Sequence, residues 1–292
     1  MVDYLIVGFG LAGLSFTETA LRHGKTCFVV DSEINYSSRV APGLFNPVIL
    51  KRFSLAWKAG EQSEFIEHFY LQLEKQFLKR FYFQLPIYRK LFSVEEQNDW
   101  FVASDKPLLS SFLSSNLITK KYDFIDSPFD FGEVLHSGFL DINLLLNTYI
   151  EYLQSNAVYR KEVFDYFYLE HTSDGIIYKG IHAKQIIFCE GYGVVNNPYF
   201  NYLPLDGAKG EVLLIYAPDL ELNAIVKTGI FILPVGNHYY KVGHAALVLV
   251  NNSSKECLYF DFGRYHSPFG HGRVRDLQTD HELIIQTKAV LD

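Results

Sequence analysis

Asp3-Tyr4-Leu5-Ile6-Val7-Gly8-Phe9-Gly10-Leu11-Ala12-Gly13 joins an apolar run to a glycine-rich turn. Tyr4 to Val7 has the continuous hydrophobic character of a strand buried on both faces in a parallel sheet. Leu11 to His23 reads as a helix, with Arg22 and His23 near its negative pole and Gly24 placed for a left-handed C-cap. Thr26 to Val30 is a second apolar strand and delivers Asp31 at its carboxyl end. Asp31 lies 23 positions after Gly8, close to the spacing of about 20 that a dinucleotide-binding βαβ unit uses. Each residue type has a task in such a unit. Gly8 permits the tight turn, Gly10 lets the backbone approach a pyrophosphate, and Gly13 lets helix and strand pack closely. The first-turn residues Leu11 and Ala12 would offer N–H groups to phosphate, and Asp31 would accept hydrogen bonds from a ribose. The motif does not select among dinucleotides.

The chain has 292 residues, 49% of them hydrophobic, enough for two packed domains. A net charge of −7 and a pI near 5.8 argue against a surface that tracks nucleic-acid phosphates. Cys27, Cys189 and Cys257 are far apart, and two lie in apolar runs, so free thiols in a reducing compartment are expected rather than a disulfide framework. No apolar run approaches the about 18 residues of a membrane span and no basic leader precedes the first strand. A soluble, cytoplasmic protein is expected. The histidines show no HExxH or paired Cys/His spacing, so no metal site is expected, and neither a Walker loop nor a Gly-x-Ser-x-Gly elbow occurs.

After Asp31 comes a polar turn, Ser32 to Ser38, and then Arg39-Val40-Ala41-Pro42-Gly43-Leu44-Phe45-Asn46-Pro47, in which two prolines and a glycine exclude an ordinary helix. This stretch, with the fingerprint before it, resembles the flavin-contacting loop of the D-amino-acid oxidase and glycine oxidase family of FAD-dependent oxidoreductases. There a Ser/Thr-containing turn precedes a Val-Ala-x-Gly-Leu-x-x-Pro run. The resemblance implies FAD as cofactor, with Ser32 among the residues that bind it, and Ser37, Ser38 and Arg39 near the phosphates or ribityl chain. Gly43 and Leu44 would offer backbone N–H groups to the flavin ring. It also implies a backbone contact from Val163 to adenine, and a close pass of Gly191 by the dinucleotide. Glu190 departs from the family's small residue there, and its carboxylate is expected to face solvent.

Lys58 to Phe81 reads as an amphipathic helix with Ile66, Phe69, Leu73 and Phe77 as its core stripe. Phe81 to Phe92 reads as a strand interrupted at Leu85-Pro86, followed by a capping box at Ser93 to Glu96. Asp141 is the expected N-cap of a helix over Ile142 to Gln154 whose inner face holds Leu145, Tyr149, Tyr152 and Leu153. Ile176 to Phe188 reads as two strands, and Gly236-Asn237 as the turn of a hairpin whose Tyr239 and Tyr240 point to opposite faces. Only one of those tyrosines can line a substrate pocket.

The resemblance covers roughly residues 1 to 243. Beyond it the family's Gly-x-Arg-Pro segment, whose arginine holds the substrate carboxylate, is absent. Gly272-Arg273-Val274-Arg275-Asp276 lacks the proline, so that role is not carried to Arg273. Two explanations fit the abrupt change, a divergent branch with a different substrate end and a reading-frame shift near Gly243; the second is expected, and translation of the coding DNA in its other frames tests it.

The expected fold class is α/β: a Rossmann-like FAD-binding domain (1–80 and 140–205) with an inserted mixed β-sheet substrate domain (81–139 and 206–243) and a divergent tail (244–292). The resemblance implies an FAD-dependent oxidoreductase that oxidises a small-molecule amine or amino acid by hydride transfer to flavin N5, with no catalytic acid or base named. Two other readings stand beside it. One is a flavin-binding protein without turnover, lacking its substrate-anchoring end. The other resembles the oxidoreductase domain of tRNA-modification enzymes acting on a glycine-like nucleoside amine, against which the charge argues.

Overall fold

The structure, a computed structural model, describes residues 1–34, 37–205, 207 and 210–243, and the backbone of a strand at Gln286–Ala289. The expectations placed on Cys257 and on the tail at 244–285 and 290–292 lie outside these. The chain divides into two compact units, Met1–Ala41 with Asp141–Lys209, and Pro42–Leu140 with Gly210–Ala289.

The first unit is built on a six-stranded sheet. Strand β1 (Val2–Val7) is followed by helix α1 (Leu11–Arg22) and strand β2 (Cys27–Asp31). Tyr159–Lys161, β2, β1 and Ile181–Phe188 run parallel in that spatial order, and Gly175–Tyr178 and Leu169–Thr172 complete the sheet as antiparallel strands. Leu5, Ile6, Val29 and Val30 are fully buried, and residues adjacent along one strand can all be buried only if both faces are covered. α1 stops at Arg22 because Gly24 turns left-handed at φ +68°. Gly24 N–H then donates to Leu21 O at 2.9 Å and Lys25 N–H to Ala20 O at 3.0 Å, the paired bonds of a Schellman end. The helix Ile142–Ser155 starts as expected, with Asp141 Oδ1 accepting from Leu144 N–H at 3.1 Å. Leu145, Tyr149 and Leu153 are buried, but Tyr152 lies at the edge of that face and is exposed.

The second unit carries an eight-stranded mixed sheet ordered Gln286–Ala289, Glu211–Tyr216, Tyr239–Gly243, Phe231–Gly236, Ile225–Lys227, Ile87–Lys90, Phe131–Val134, Leu113–Ile118. Its one parallel contact joins Ile225–Lys227 to Ile87–Lys90. Residues 42–80 group with this unit rather than with the first. Leu44–Phe45 pairs with Gly138–Leu140, which pairs in turn with Tyr82–Gln84. The helix Ala59–Phe77 is tied to the same small sheet because Glu74 Oε1 accepts from Phe81 N–H at 2.6 Å and from Tyr82 N–H at 2.8 Å. Of its expected stripe, Phe69 and Leu73 are buried, and Ile66 and Phe77 are half-buried.

The break at Leu85-Pro86 separates Tyr82–Gln84 from Ile87–Lys90. Ser93 Oγ accepts from Glu96 N–H at 3.2 Å to open the helix Val94–Ser104; Glu96 reaches back one residue further than in a standard capping box, to Phe92 N–H at 3.0 Å. The hairpin turn sits one residue later than its glycine suggests. Asn237 (φ +50°) and His238 (φ +63°) are the two left-handed turn residues, while Gly236 (φ +95°) ends the strand where the register slips after Pro234. Tyr240 is buried, and Tyr239 is half-buried against Tyr216. Among the described residues no helix is long and apolar enough to cross a membrane.

Candidate dinucleotide-binding site

The site grows from the end of β1. Gly8 turns the chain at φ +92°, and its N–H donates to Val30 O at 2.9 Å, which keeps the turn against β2. A Cβ at Gly8 would stand 2.5 Å from Cys189 O, and one at Gly13 would stand 2.2 Å from Gly8 O, so loop, helix and neighbouring strand touch through bare backbone. α1 begins with Gly10 as N-cap, with no side-chain cap and no acid in its first turn. Leu11 N–H donates to Ser38 Oγ at 3.3 Å. The N–H groups of Gly10, Ala12 and Gly13 donate to no acceptor among the described residues. A helix start left open in this way has a positive pole and free donors, the requirements of an anion.

Asp31 closes the other side. Its Oδ1 accepts from Phe9 N–H at 3.0 Å and its Oδ2 from Glu33 N–H at 3.2 Å, with Tyr159 OH at 3.5 Å, so the carboxylate fixes the glycine loop and retains lone pairs for a ribose. Burial pushes the Asp31 carboxyl above its usual range, with the Phe9 and Glu33 N–H groups opposing it. Sequence reasoning missed the next acid. Glu33, at φ +56°, accepts from Tyr159 OH at 2.9 Å and from Lys161 Nζ. Burial works against its charge, but Lys161 and Tyr159 hold its carboxyl below the usual range. Burial, then the Asp31 charge, pushes the Tyr159 phenol far up, so it keeps its single proton and donates it to Glu33.

The Ser37–Val40 turn is a four-residue helix. Ser37 is exposed, and Ser32 Oγ accepts from Ile34 N–H at 3.2 Å. Arg39 Nη1 donates to Asn147 Oδ1 at 2.7 Å, a neutral partner that leaves the guanidinium its charge, and Arg39 O accepts from Asn143 Nδ2 at 3.0 Å, which ties the backbone to the same helix. Glu162 N–H donates to Asp31 O at 3.0 Å, which carries the strand edge on to Val163, an exposed residue. Gly191 has φ +57°. Glu190 does not face solvent freely: its Oε1 accepts from Tyr166 OH and its Oε2 from Asn197 Nδ2 at 2.6 Å, because a short helical turn at Gly191–Asn196 brings Asn197 back onto it.

In the second unit, Gly43 (φ +82°) accepts through its carbonyl from Leu140 N–H at 3.0 Å, and a Cβ there would lie 2.1 Å from Leu140 O. Its own N–H has no acceptor among the described residues, and Leu44 stands opposite Phe139 on an edge strand. Gly8, Gly10 to Gly13, Asp31 and Ser38 thus form one constellation in the first unit, and Gly43 and Leu44 a separate backbone corner in the second.

Asp31→Asn separates the two duties of this acid. A carboxyl whose folded pKa is raised costs stability as pH climbs above its ordinary value of 3.8, and the cost is complete above the folded value. The stability of Asp31→Asn relative to the unsubstituted chain should therefore rise between about pH 3 and about pH 7. Dinucleotide affinity should fall about tenfold, since an amide offers one neutral acceptor. Urea midpoints at both pH values check the first part, and a pH-independent difference would refute it.

Solved structures similar to this chain include glycine oxidase from Geobacillus kaustophilus (16% identity, 82% of this chain and 70% of that one, TM-score 0.63). They include iminodiacetate oxidase from Chelativorans sp. (14%, 82% and 71%, TM-score 0.61). They also include L-alpha-glycerophosphate oxidase from Mycoplasma pneumoniae with FAD bound (15%, 83% and 70%, TM-score 0.55). Residues 213–292 match the family described as Type VI secretion system effector TseH-like, a match confined to the last part of the second unit and the tail. The chain has the mixed α/β fold of the glycine oxidase structures, with a Rossmann-like first unit.

Proposed function

We propose that the first unit holds FAD and that the chain is an FAD-dependent oxidoreductase acting on a small amine or amino acid bound at the second unit. The observation that carries this is the open start of α1, where three N–H groups lack acceptors and no acid intrudes, facing Asp31 across a loop with no room for a Cβ. These residues fit a dinucleotide. The Gly10, Ala12 and Gly13 N–H groups would hold its phosphates with Ser38 and Arg39 beside them, Asp31 would take the ribose, and Val163 would meet the adenine through its backbone. When bound, FAD supplies the acceptor for a hydride from the substrate carbon that bears nitrogen. The substrate then leaves as an imine that water hydrolyses, so the protein's part is to position the amine in its neutral form. Burial pushes the Cys27 and Cys189 thiols up to about 11, so both stay protonated and poorly nucleophilic near neutral pH.

The test is the visible absorption spectrum of the purified protein, before and after anaerobic addition of D-amino acids, glycine, sarcosine and glycerol 3-phosphate. A flavin spectrum that bleaches with an amine supports the proposal. Bleaching by glycerol 3-phosphate alone would move the substrate class, since the same fold serves a glycerophosphate oxidase. Flavin that binds and never bleaches would favour a protein without turnover, and no flavin uptake would sink the cofactor assignment. With a net charge of −7, binding of tRNA in a gel shift is not expected.

A further inference from the structure

The small sheet of the second unit has two unlike faces. Leu44 and Phe139 pack against the core that holds Trp100. The opposite face carries Phe45, Gly138 and Gln84 in register, with Tyr82 two residues before Gln84 on its strand. Phe45 and Tyr82 stack with ring centroids 5.0 Å apart and planes 10° apart. The Phe45 ring lies over Gly138, where a Cβ would come within 2.6 Å of it. The two rings make one flat apolar wall.

The helix Ala59–Phe77 crosses this face. Its fourth turn closes on the wall through Tyr70, stacked 6.3 Å from Tyr82. Its first turns bring Ala59, Gly60 and Ser63 to the same side, and a Cβ at Gly60 would meet nothing within 4 Å. Small residues there leave a cavity of about 480 Å³ between helix and sheet, within the range of about 300 to 1,000 Å³ of small-molecule sites. Phe112 and His136, in edge contact at 6.0 Å, line it as well.

The charge of this cavity is negative. Glu64 and Glu67 line it, and no lysine or arginine does. Gln84 Nε2 donates to Glu67 Oε1 at 3.1 Å, while the other Glu67 oxygen and both oxygens of Glu64 have no partner among the described residues. Nearby Lys58 is already taken by Glu61, at 3.0 Å. Two acids against the half charge of a helix start leave a field that draws a cation. Burial raises the Tyr82 phenol above its usual range, with Gln84 opposing and the Glu67 charge adding to it, so that charge is felt at the ring wall.

We propose that this cavity binds an organic ammonium ion, its charge beside Glu64 and Glu67 and its apolar body on the Phe45 and Tyr82 rings. Ring faces attract a weakly hydrated cation, and the carboxylates add to that attraction. The ligand is held and not oxidised. Carboxylates beside an amine favour its protonated form, and a nitrogen without a lone pair cannot leave as an imine. That last step rests on the amine chemistry proposed above; the binding site itself lies wholly within the second unit.

The test is saturation-transfer NMR of the full chain with benzyltrimethylammonium, whose nitrogen has no lone pair. Saturable binding is expected, displaced by benzylammonium and not by phenylacetate. Glu67→Gln, which keeps an oxygen for Gln84, should weaken it about threefold, Glu64→Gln likewise, and the double variant about tenfold. Ser63→Leu, a change that a helix accepts, should fill the cavity and abolish binding. Unchanged binding in Ser63→Leu or in the double glutamine variant, or displacement by phenylacetate as effective as by benzylammonium, would overturn the assignment. Flavin absorption is read on the same samples. Flavin bleaching by substrate should be unchanged in Ser63→Leu, and its loss there would make the cavity the reacting site and overturn a ligand that is only held. Absent flavin with intact binding of the probe would count against the proposed function and leave the ammonium site standing.

Discussion

Gly8→Ala is expected to destabilise the chain by about 4 kcal/mol and to abolish flavin uptake, a larger effect than at Gly13 or Gly24 of the same βαβ unit. Two separate costs meet there. Its φ of +92° is one that residues with a Cβ rarely adopt, and the added carbon would stand 2.5 Å from Cys189 O, an atom of the neighbouring strand's end that cannot swing aside. Strain of this kind costs about 1 to 3 kcal/mol and overpacking against backbone a similar amount. Gly13→Ala isolates the second cost, since its Cβ would meet Gly8 O at 2.2 Å within the helix, and about 3 kcal/mol is expected. Gly24→Ala isolates the first. Gly24 has φ +68° but open space around it, so about 1 kcal/mol is lost there, and flavin affinity stays unchanged because the far end of α1 is involved. Urea midpoints and flavin titration of the three variants give the ranking directly. A Gly24→Ala variant as damaging as Gly8→Ala would show that conformation, and not close approach of loop, helix and strand, dominates here.

That ranking explains why the first unit is legible from the chain alone. The strand, glycine turn, helix and acid are consecutive, so spacing along the sequence is spacing in the fold: Gly8 makes the tight turn, Gly13 allows the close approach, and Asp31 stands at the end of its strand against the glycine loop. Where a role depends on a partner brought from afar, the sequence carries less. Glu190 is an acid after a strand, and nothing local announces that Tyr166 and Asn197 both reach it. Residues 42–80 follow the first unit's strands in order, yet belong to the second because Leu44–Phe45 pairs with a strand nearly a hundred positions on. The turn at Asn237-His238 was displaced because glycine is the usual left-handed residue, while asparagine and histidine also take that conformation and Gly236 was needed at the register slip. A charged residue on an apolar helical face is a signal of the intermediate kind, visible in position and mute about its partner.

Glu18 is that residue, and its removal is expected to cost about 3 kcal/mol. It lies four positions after Leu14 on α1, on the buried face, and is 3% exposed. Its Oε2 accepts from Tyr149 OH at 2.5 Å and its Oε1 from Arg22 Nε at 2.6 Å. The pair joins α1 to the helix Ile142–Ser155, and Tyr149 also packs against Phe9 of the glycine loop with ring centroids 5.6 Å apart. Burial, and then the Glu18 charge, pushes the Tyr149 phenol far up, so it remains a donor at any working pH. Tyr149→Phe keeps the ring against Phe9 and removes one hydrogen bond to a charge, so about 2 kcal/mol is expected. Glu18→Leu takes away the charged acceptor of both neighbours, and about 3 kcal/mol is expected. The double variant, Glu18→Leu with Tyr149→Phe, should cost less than the two singles together, by at least about 1.5 kcal/mol, because two apolar groups need no partner. Urea unfolding of the four proteins closes the cycle, and strictly additive losses would show that the two groups do not act as a unit. If they do, the start of α1 needs no acid of its own to anchor it. The charge that anchors the helix is placed two turns down, where it holds the loop through Tyr149 and leaves the N–H groups of Gly10, Ala12 and Gly13 to an anion.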